Sequence, residues 1–330
     1  MRFGPVPLDA AEGAILAHSV ALPLGRLRKG CRLGPEEIAT LRSLGRTEVI
    51  VARLDADDMH EDAAALAIAQ ALVAGPEAGL DLRPVGTGRV NLHAGVTGIA
   101  GVIADRVNAL NAVDPMITLA TVPRWQRLGA GEMVATVKVI AYGVASASVE
   151  AAAKAGQGAL QMHPARVMRA ALIQTVTTED DGESGHRAIQ QRLQALRVDM
   201  QPKRLVPHRD ADLATALQAT RDADLILILT ASATSDPNDV APAALRRAGG
   251  TVERFGMPVD PGNLLFLGTL GTTPVIGLPG CARSPALNGA DWVMERVICG
   301  VPVTGADIAA MGVGGLLKEI PQRGRLREAK

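Results

Sequence analysis

The run Asp224-Leu-Ile-Leu-Ile-Leu-Thr230 constrains the fold more than any other stretch of this chain. Five consecutive aliphatic residues leave no polar side, so the run suits neither an amphipathic helix nor a strand with one wet face. Its length is that of a strand, and a strand apolar on both sides belongs inside a sheet covered on both faces. The flanking segments supply the alternation such a sheet needs. Strands are predicted at 170–176, near 203–206 and at 251–255, with helices at 184–197, at 211–221 and from Asp239 to Gly249-Gly250. Strands alternating with helices predict an α/β domain with a mostly parallel sheet. Pro261-Gly262 and Leu270-Gly271 break the alternation, and LLFLG and PVIGL read as a hairpin. A last helix is expected over Ser284–Val297, capped by Ser284 with Pro285 in its first turn and stopped by Gly300 and Pro302.

Upstream of residue 166 the pattern is α+β. A helix is expected over Glu36–Leu44 after Gly34-Pro35, and a strand over Thr47–Leu54. Asp58-Met-His-Glu61 reads as a capping box for the alanine-rich helix that ends at Gly75. Residues 75–90 read as a Gly/Pro-rich linker. Val96–Asn111 reads as a helix, Ile117–Val122 and Met133–Ala141 as strands, and Val149–Ala155 as a short helix. The expected segments are a module over 1–80, a second α+β segment over 81–165, the α/β domain over 166–303 and a partly extended, mobile tail over 304–330.

Composition narrows the function classes. Lys plus Arg and Asp plus Glu both number 34, and aromatic residues make up 2%. A global electrostatic hold on nucleic acid or anionic membrane is not expected, and neither is a base-stacking platform. The three cysteines, Cys31, Cys281 and Cys299, form no CxxC, which fits a reducing cytoplasm. No apolar stretch is long enough for a membrane span, and the N-terminus does not read as a signal peptide.

In an open α/β sheet, ligands sit beyond the carboxyl ends of the strands, beside helix starts. The segment Ala231-Ser-Ala-Thr-Ser-Asp-Pro-Asn-Asp239 follows the strongest strand and feeds a helix, so its backbone N–H groups favour an anion. Asp239 reads equally as that helix's cap or as a Mg²⁺ ligand. Arg283 and Ser284, at the expected start of the last helix, could grip a phosphate or a similar oxyanion. Cys281 there reads more readily as a small packing residue than as a thiolate. Asp180-Asp-Gly-Glu183 reads as a solvated acidic loop rather than a metal site, and His208, with Asp210 to orient it, as structural rather than a base. The remaining histidines lack metal-ligand spacing. Gly86-Thr-Gly-Arg-Val-Asn91, with Arg89, Asn91 and His93, is a weak phosphate-loop candidate.

Three ordered stretches carry a family resemblance. Thr230, Asp239, Val240, Pro242 and Ala244 match T-G-G-T-G-x-x-x-R-D-V-T-P-E-A. Met257-Pro-Val-Asp-Pro-Gly-Asn-Leu-Leu-Phe-Leu-Gly268 resembles M-K-P-G-K-P-L-x-F-G, and Val275–Leu287 resembles V-F-G-L-P-G-N-P-V-S-A-L. These are the stretches of the molybdopterin-binding domain family of molybdenum-cofactor biosynthesis, the MoeA/MogA group. Over 166–303 the chain looks most like the branch often joined to a MobA-like cytidylyltransferase. More weakly, Gly30–Gly45 with TEVIVARL resembles a small β module that accompanies the family.

The resemblance implies a three-layer α/β/α molybdopterin-binding domain that forms homo-oligomers. Its ligand would be molybdopterin, with Mg²⁺, ATP or molybdate as further ligands if the chain is a transferase. Its partner would be a MobA-like cytidylyltransferase or a molybdoenzyme maturation factor. Mapped onto this sequence, the pterin would meet Thr230, Ser232, Thr234, Asp236, Gly262, Asn263, Gly277, Pro279, Gly280, Arg283 and Ser284. Asp239 would be the catalytic and metal-holding residue. The chain departs from the pattern in three places. Ala231 and Ser232 replace paired glycines, Asp260 and Asn263 replace two lysines, and Gly280-Cys281-Ala282 replaces Gly-Asn-Pro.

Overall fold

The computed structural model describes residues 1–73, 75–177 and 181–317. The chain divides into two compact units, Met1–Met162 and His163–Lys330.

In the first unit, strands Arg2–Pro7 and Ile15–Leu16 flank Glu48–Arg53 in an antiparallel sheet. Helix Pro35–Ser43 closes its core through Ile38 and Leu41, packed with Leu8, Leu16, Leu33 and Val51. A second core lies between helix Glu61–Leu72 and a four-stranded antiparallel sheet of Ile117–Thr121, Met133–Val139, Arg89–Ala94 and Leu80–Gly86. The linker expected at 75–90 is therefore mostly a hairpin. Its two-residue turn, Thr87-Gly88, has both φ angles positive, the twist that hairpin strands need. Pro84 is tolerated because its strand lies on the sheet edge. The helix expected at 96–111 is split. Gly98–Val102 is a wholly buried strand, and only Ala104–Asn111 is helical. The cap of the 61–72 helix is His60, whose Nδ1 accepts from the Asp62 N–H at 3.3 Å, whereas Asp58 lies in a short strand.

Glu61 is buried in this unit, and desolvation pushes its carboxyl above the ordinary range despite the opposing charge of Lys138. A carboxyl raised in the folded state favours folding only below the unfolded pKa, and that advantage is lost as pH rises through the folded value. Glu61→Gln should therefore raise the thermal midpoint near pH 7 and lose the advantage below about pH 4, where unfolded carboxylates are protonated. Equal melting shifts at both pH values would refute this.

In the second unit the elements are β1 (Arg169–Val176), α1 (Glu183–Ala195), β2 (Asp199–Met200), β3 (Arg204–Pro207), α2 (Asp210–Gln218), β4 (Leu225–Leu229), α3 (Val240–Arg247), β5 (Thr251–Phe255), β6 (Phe266–Leu270), β7 (Thr273–Leu278), α4 (Gly289–Ile298) and α5 (Gly305–Ala309). The sheet order is β2-β1-β4-β7-β6-β5, with β3 also on β1. The β1, β2, β3, β4 and β7 pairings are parallel, and β6 alone runs against its neighbours, giving a mostly parallel mixed sheet.

All five residues of β4 are buried. Ile226 and Ile228 join Leu213 and Leu217 of α2 and Ala241 and Leu245 of α3 on one side. Leu229 lies under Gly185 of α1 on the other. The predicted hairpin is β6–β7, turning at Gly271-Thr272 with Gly271 at φ +61°. The tail is less extended than expected. Thr304 caps α5 in a capping box with Asp307, while Leu317 N–H and Gly315 C=O pair with Asp260. The tail beyond 317 lies outside the described residues.

Gly277 of β7 sits beneath Phe266, whose ring Cε1 would be 1.9 Å from an added Cβ. Phe266 is fully buried and has no room to retreat. Gly277→Ala should cost about 1–3 kcal/mol as overpacking, read as a lower denaturant midpoint at unchanged slope.

Candidate functional site

β3 leaves β1 to one side and β4 lies on its other side, so the strand order reverses at the carboxyl ends of β1 and β4. A crevice for ligands opens at such a point. Because β6 runs backwards, the 256–265 connection reaches the same edge as the loops after β4 and β7.

The β1 end is locked to the next two loops. The Thr175 hydroxyl accepts from the Ala231 N–H at 2.9 Å and shares a 2.8 Å hydrogen bond with His208 Nδ1. The hydroxyl, not Asp210, therefore orients His208; Asp210 instead pairs with Arg247 at 3.3 Å. On the opposite face of β1, buried Gln174 donates to the Gly182 carbonyl at 2.9 Å, and its Oε1 has no partner among the described residues. Of the acidic run 180–183, Asp180 lies outside the described residues. Asp181 accepts from the Glu183 N–H, and Glu183 pairs with Lys203 at 3.1 Å.

The 230–239 loop is shaped by its own side chains. Buried Thr230 donates to the Ser232 carbonyl at 2.6 Å and meets the hydroxyl of buried Thr234 at 3.2 Å. Asp236 accepts from the Asn238 N–H at 2.7 Å. Asp239 is the N-cap of α3, with Oδ1 accepting from Val240 N–H at 2.7 Å and Oδ2 from Ser235 N–H at 3.1 Å. Among the described residues, nothing accepts from the N–H groups of Ser232, Ala233 or Thr234. These three consecutive donors suit an anion.

The loop after β7 departs from expectation. Helix α4 starts at Gly289, not at Ser284, and is capped by fully buried Asn288 in a capping box with Asp291. Residues 280–283 form a short 3-10 turn, and Ser284 is extended. Ser284 thus does not cap the helix. Its carbonyl and that of Ala286, which a helix started there would use internally, are taken by Arg192 at 2.8 and 3.0 Å. Arg283 donates to the Thr230 carbonyl at 2.6 Å and so ties the two loops together.

Of the sequence-predicted positions, Ser232 and Gly280 are exposed and Arg283 is half-buried at this edge. Gly262 backs onto Gly289, where an added Cβ would lie 2.7 Å from the Gly289 nitrogen. The Asn263 carbonyl accepts from the Met257 N–H at 3.0 Å. Gly277 and Pro279 are buried, the former as the seat for Phe266. The Arg89, Asn91 and His93 candidates lie on a strand of the first unit. Sequence reasoning missed Thr175, Gln174 and Arg192. The Asn288-x-x-Asp291 spacing was a legible cap, but nothing near Arg192 announces partners some 90 positions downstream. Among the described residues no group of three or more His, Cys, Asp or Glu could hold a metal ion.

Residues 5–53 match the model of a family described as a domain of unknown function (DUF8806). No curated protein matches the chain. Solved structures that resemble it distantly include a molybdopterin biosynthesis MoeA protein from Pyrococcus horikoshii, 11% identical over 93% of this chain and 75% of that one, with a TM-score of 0.29. A molybdenum cofactor biosynthesis protein B is 13% identical over 40% of this chain and 94% of its own, with a TM-score of 0.30. A molybdenum cofactor biosynthesis protein from Pyrococcus furiosus is 12% identical over 94% and 65%, with a TM-score of 0.23. Likeness at this level assigns no residue a role. No described helix is long and apolar enough to cross a membrane.

Replacing Asp239 removes a cap whether or not a ligand binds. Asp239→Ala should therefore lower unfolding stability by about 1 kcal/mol without any ligand present, measured by urea titration. An unchanged midpoint would mean the carboxylate does not cap α3.

Proposed function

We propose that the second unit binds molybdopterin at this carboxyl edge and holds or passes it during molybdenum-cofactor biosynthesis. The observation that carries the reading is the run of N–H groups at Ser232–Thr234 that have no acceptor among the described residues, tied through Arg283 to the loop after β7 at the point where strand order reverses. These loops bear the ordered motif resemblance. Donors without acceptors beside a guanidinium fit the pterin's phosphate. Ser284 and Gly280 would line the same mouth, with Gly262 and Asn263 on the neighbouring loop. Thr230, Thr234, Asp236 and Asp239 would act by holding the loop's shape, and Gly277 and Pro279 by supporting it from below.

A second reading is a transferase of the same fold that inserts molybdate or adenylylates the pterin with ATP. Asp260 and Asn263, where the family pattern has lysines, remove positive charge that such chemistry uses, and this favours holding over turnover. A cytidylyltransferase of the MobA type or a molybdoenzyme maturation factor would then be the recipient, and the chain would work as a homo-oligomer. A third reading, a non-catalytic docking scaffold, predicts no tight small ligand.

Isothermal titration with molybdopterin separates these readings. Saturable binding is expected both with and without MgCl₂, because the proposed contacts are N–H and guanidinium donors. Arg283→Met should weaken it at least about tenfold, the loss of one charge-assisted hydrogen bond. Absence of binding in the unaltered chain would put the scaffold reading first, and release of pyrophosphate from ATP in the presence of pterin would favour the transferase.

A further inference from the structure

We infer that Arg192 is the positioning residue of the crevice, holding the 279–288 loop in the one shape that lets Arg283 reach across to the loop after β4. Arg192 projects from α1 and is nearly buried, with 11% of its side chain exposed. A guanidinium has five N–H donors, and here all five have acceptors. Nε donates to Asp291 Oδ1 at 2.5 Å. Nη1 donates to the carbonyls of Ala188 at 3.2 Å and Ala282 at 3.0 Å. Nη2 donates to those of Ser284 at 2.8 Å and Ala286 at 3.0 Å.

Three of these acceptors alternate along one loop, at 282, 284 and 286, and lie on both sides of Arg283. Fixing the carbonyls of Ala282 and Ser284 fixes the backbone from which Arg283 extends, and Arg283 then donates to the Thr230 carbonyl at 2.6 Å. Asp291 completes the hold. It pairs with Arg192 through Oδ1, while Oδ2 accepts the Asn288 N–H at 2.8 Å in the α4 capping box. One buried ion pair thus sets where α4 begins, where the preceding loop runs and how that loop meets the 230–239 loop. A lysine would keep the charge but could not supply a planar fork with five donors.

The coupling between loops stands on these contacts alone, and its consequence for ligand affinity rests on the function proposed above. Amide hydrogen exchange on the whole chain tests the coupling without a ligand. Arg192→Lys should speed exchange several-fold both in 280–288 and at the protected amides of Ser235, Asp239 and Val240, which Arg192 does not touch. Arg283→Met should speed only the second group. The double variant should exchange there no faster than Arg192→Lys. Asp291→Asn, which keeps the guanidinium and its carbonyl contacts, should show the same pattern to a smaller extent and serves if Arg192→Lys does not fold. Faster exchange confined to 280–288, or additive effects at 235–240, would overturn the proposal.

Titration of the same variants with molybdopterin should show weakening by Arg192→Lys that disappears in the Arg283→Met background. If the unaltered chain binds no molybdopterin, the functional reading fails while the exchange result still decides the coupling.

Discussion

Burial of β4 on both faces is the constraint from which the second unit follows. A strand whose side chains all need cover cannot lie at an edge, and it requires a layer of helices on each side. Leu225–Leu229 meets that requirement with α2 and α3 on one side and α1 on the other. Helices that cover both faces of parallel strands must be reached by connections leaving the carboxyl ends. Those connections therefore gather at one edge, and the polar segment 231–239 lies there because the apolar run before it had to be central.

How far this was legible depended on the range of the interactions involved. The strands and helices of the second unit follow from runs a few residues long, and β1, β4, α3 and the β6–β7 hairpin lie within a residue or two of their sequence-based bounds. Asp239 as a cap was readable for the same reason, since its acceptors serve N–H groups at 235 and 240. Ser284 shows the opposite. Ser-Pro is a fair local helix start, but a guanidinium from another helix takes its carbonyl, and the local preference loses. In the first unit, Val96–Asn111 reads locally as one helix. Burial and pairing with Arg127–Leu128 make Gly98–Val102 of it a strand instead. His208 was noticed, but its orienting partner, Thr175, is a β-branched residue that locally reads only as a strand former.

The site also shows how shape and charge divide between residues. Thr230, Thr234, Asp236 and Asp239 spend their hydrogen-bonding capacity on the loop itself. What is left to face outward is mainly backbone N–H and one tethered guanidinium. Such a surface attracts an anion weakly at long range and holds it by geometry at short range, as expected of a chain with no net charge.

The reversed direction of β6 has a consequence for how a fold like this diversifies. Its partner β5 ends, and β6 begins, at the carboxyl edge of the parallel strands, so residues 256–265 form an excursion that crosses no face of the sheet and needs no covering helix. Buried Met257, Val259, Gly262 and Leu265 anchor it, while exposed positions such as Pro258 and Asn263 can exchange side chains with little disturbance to the strand ladder beneath it. Asp260 and Asn263 fall within it. The sheet then behaves as a constant frame with one exchangeable cassette at its mouth, through which selection can retune charge without refolding the core.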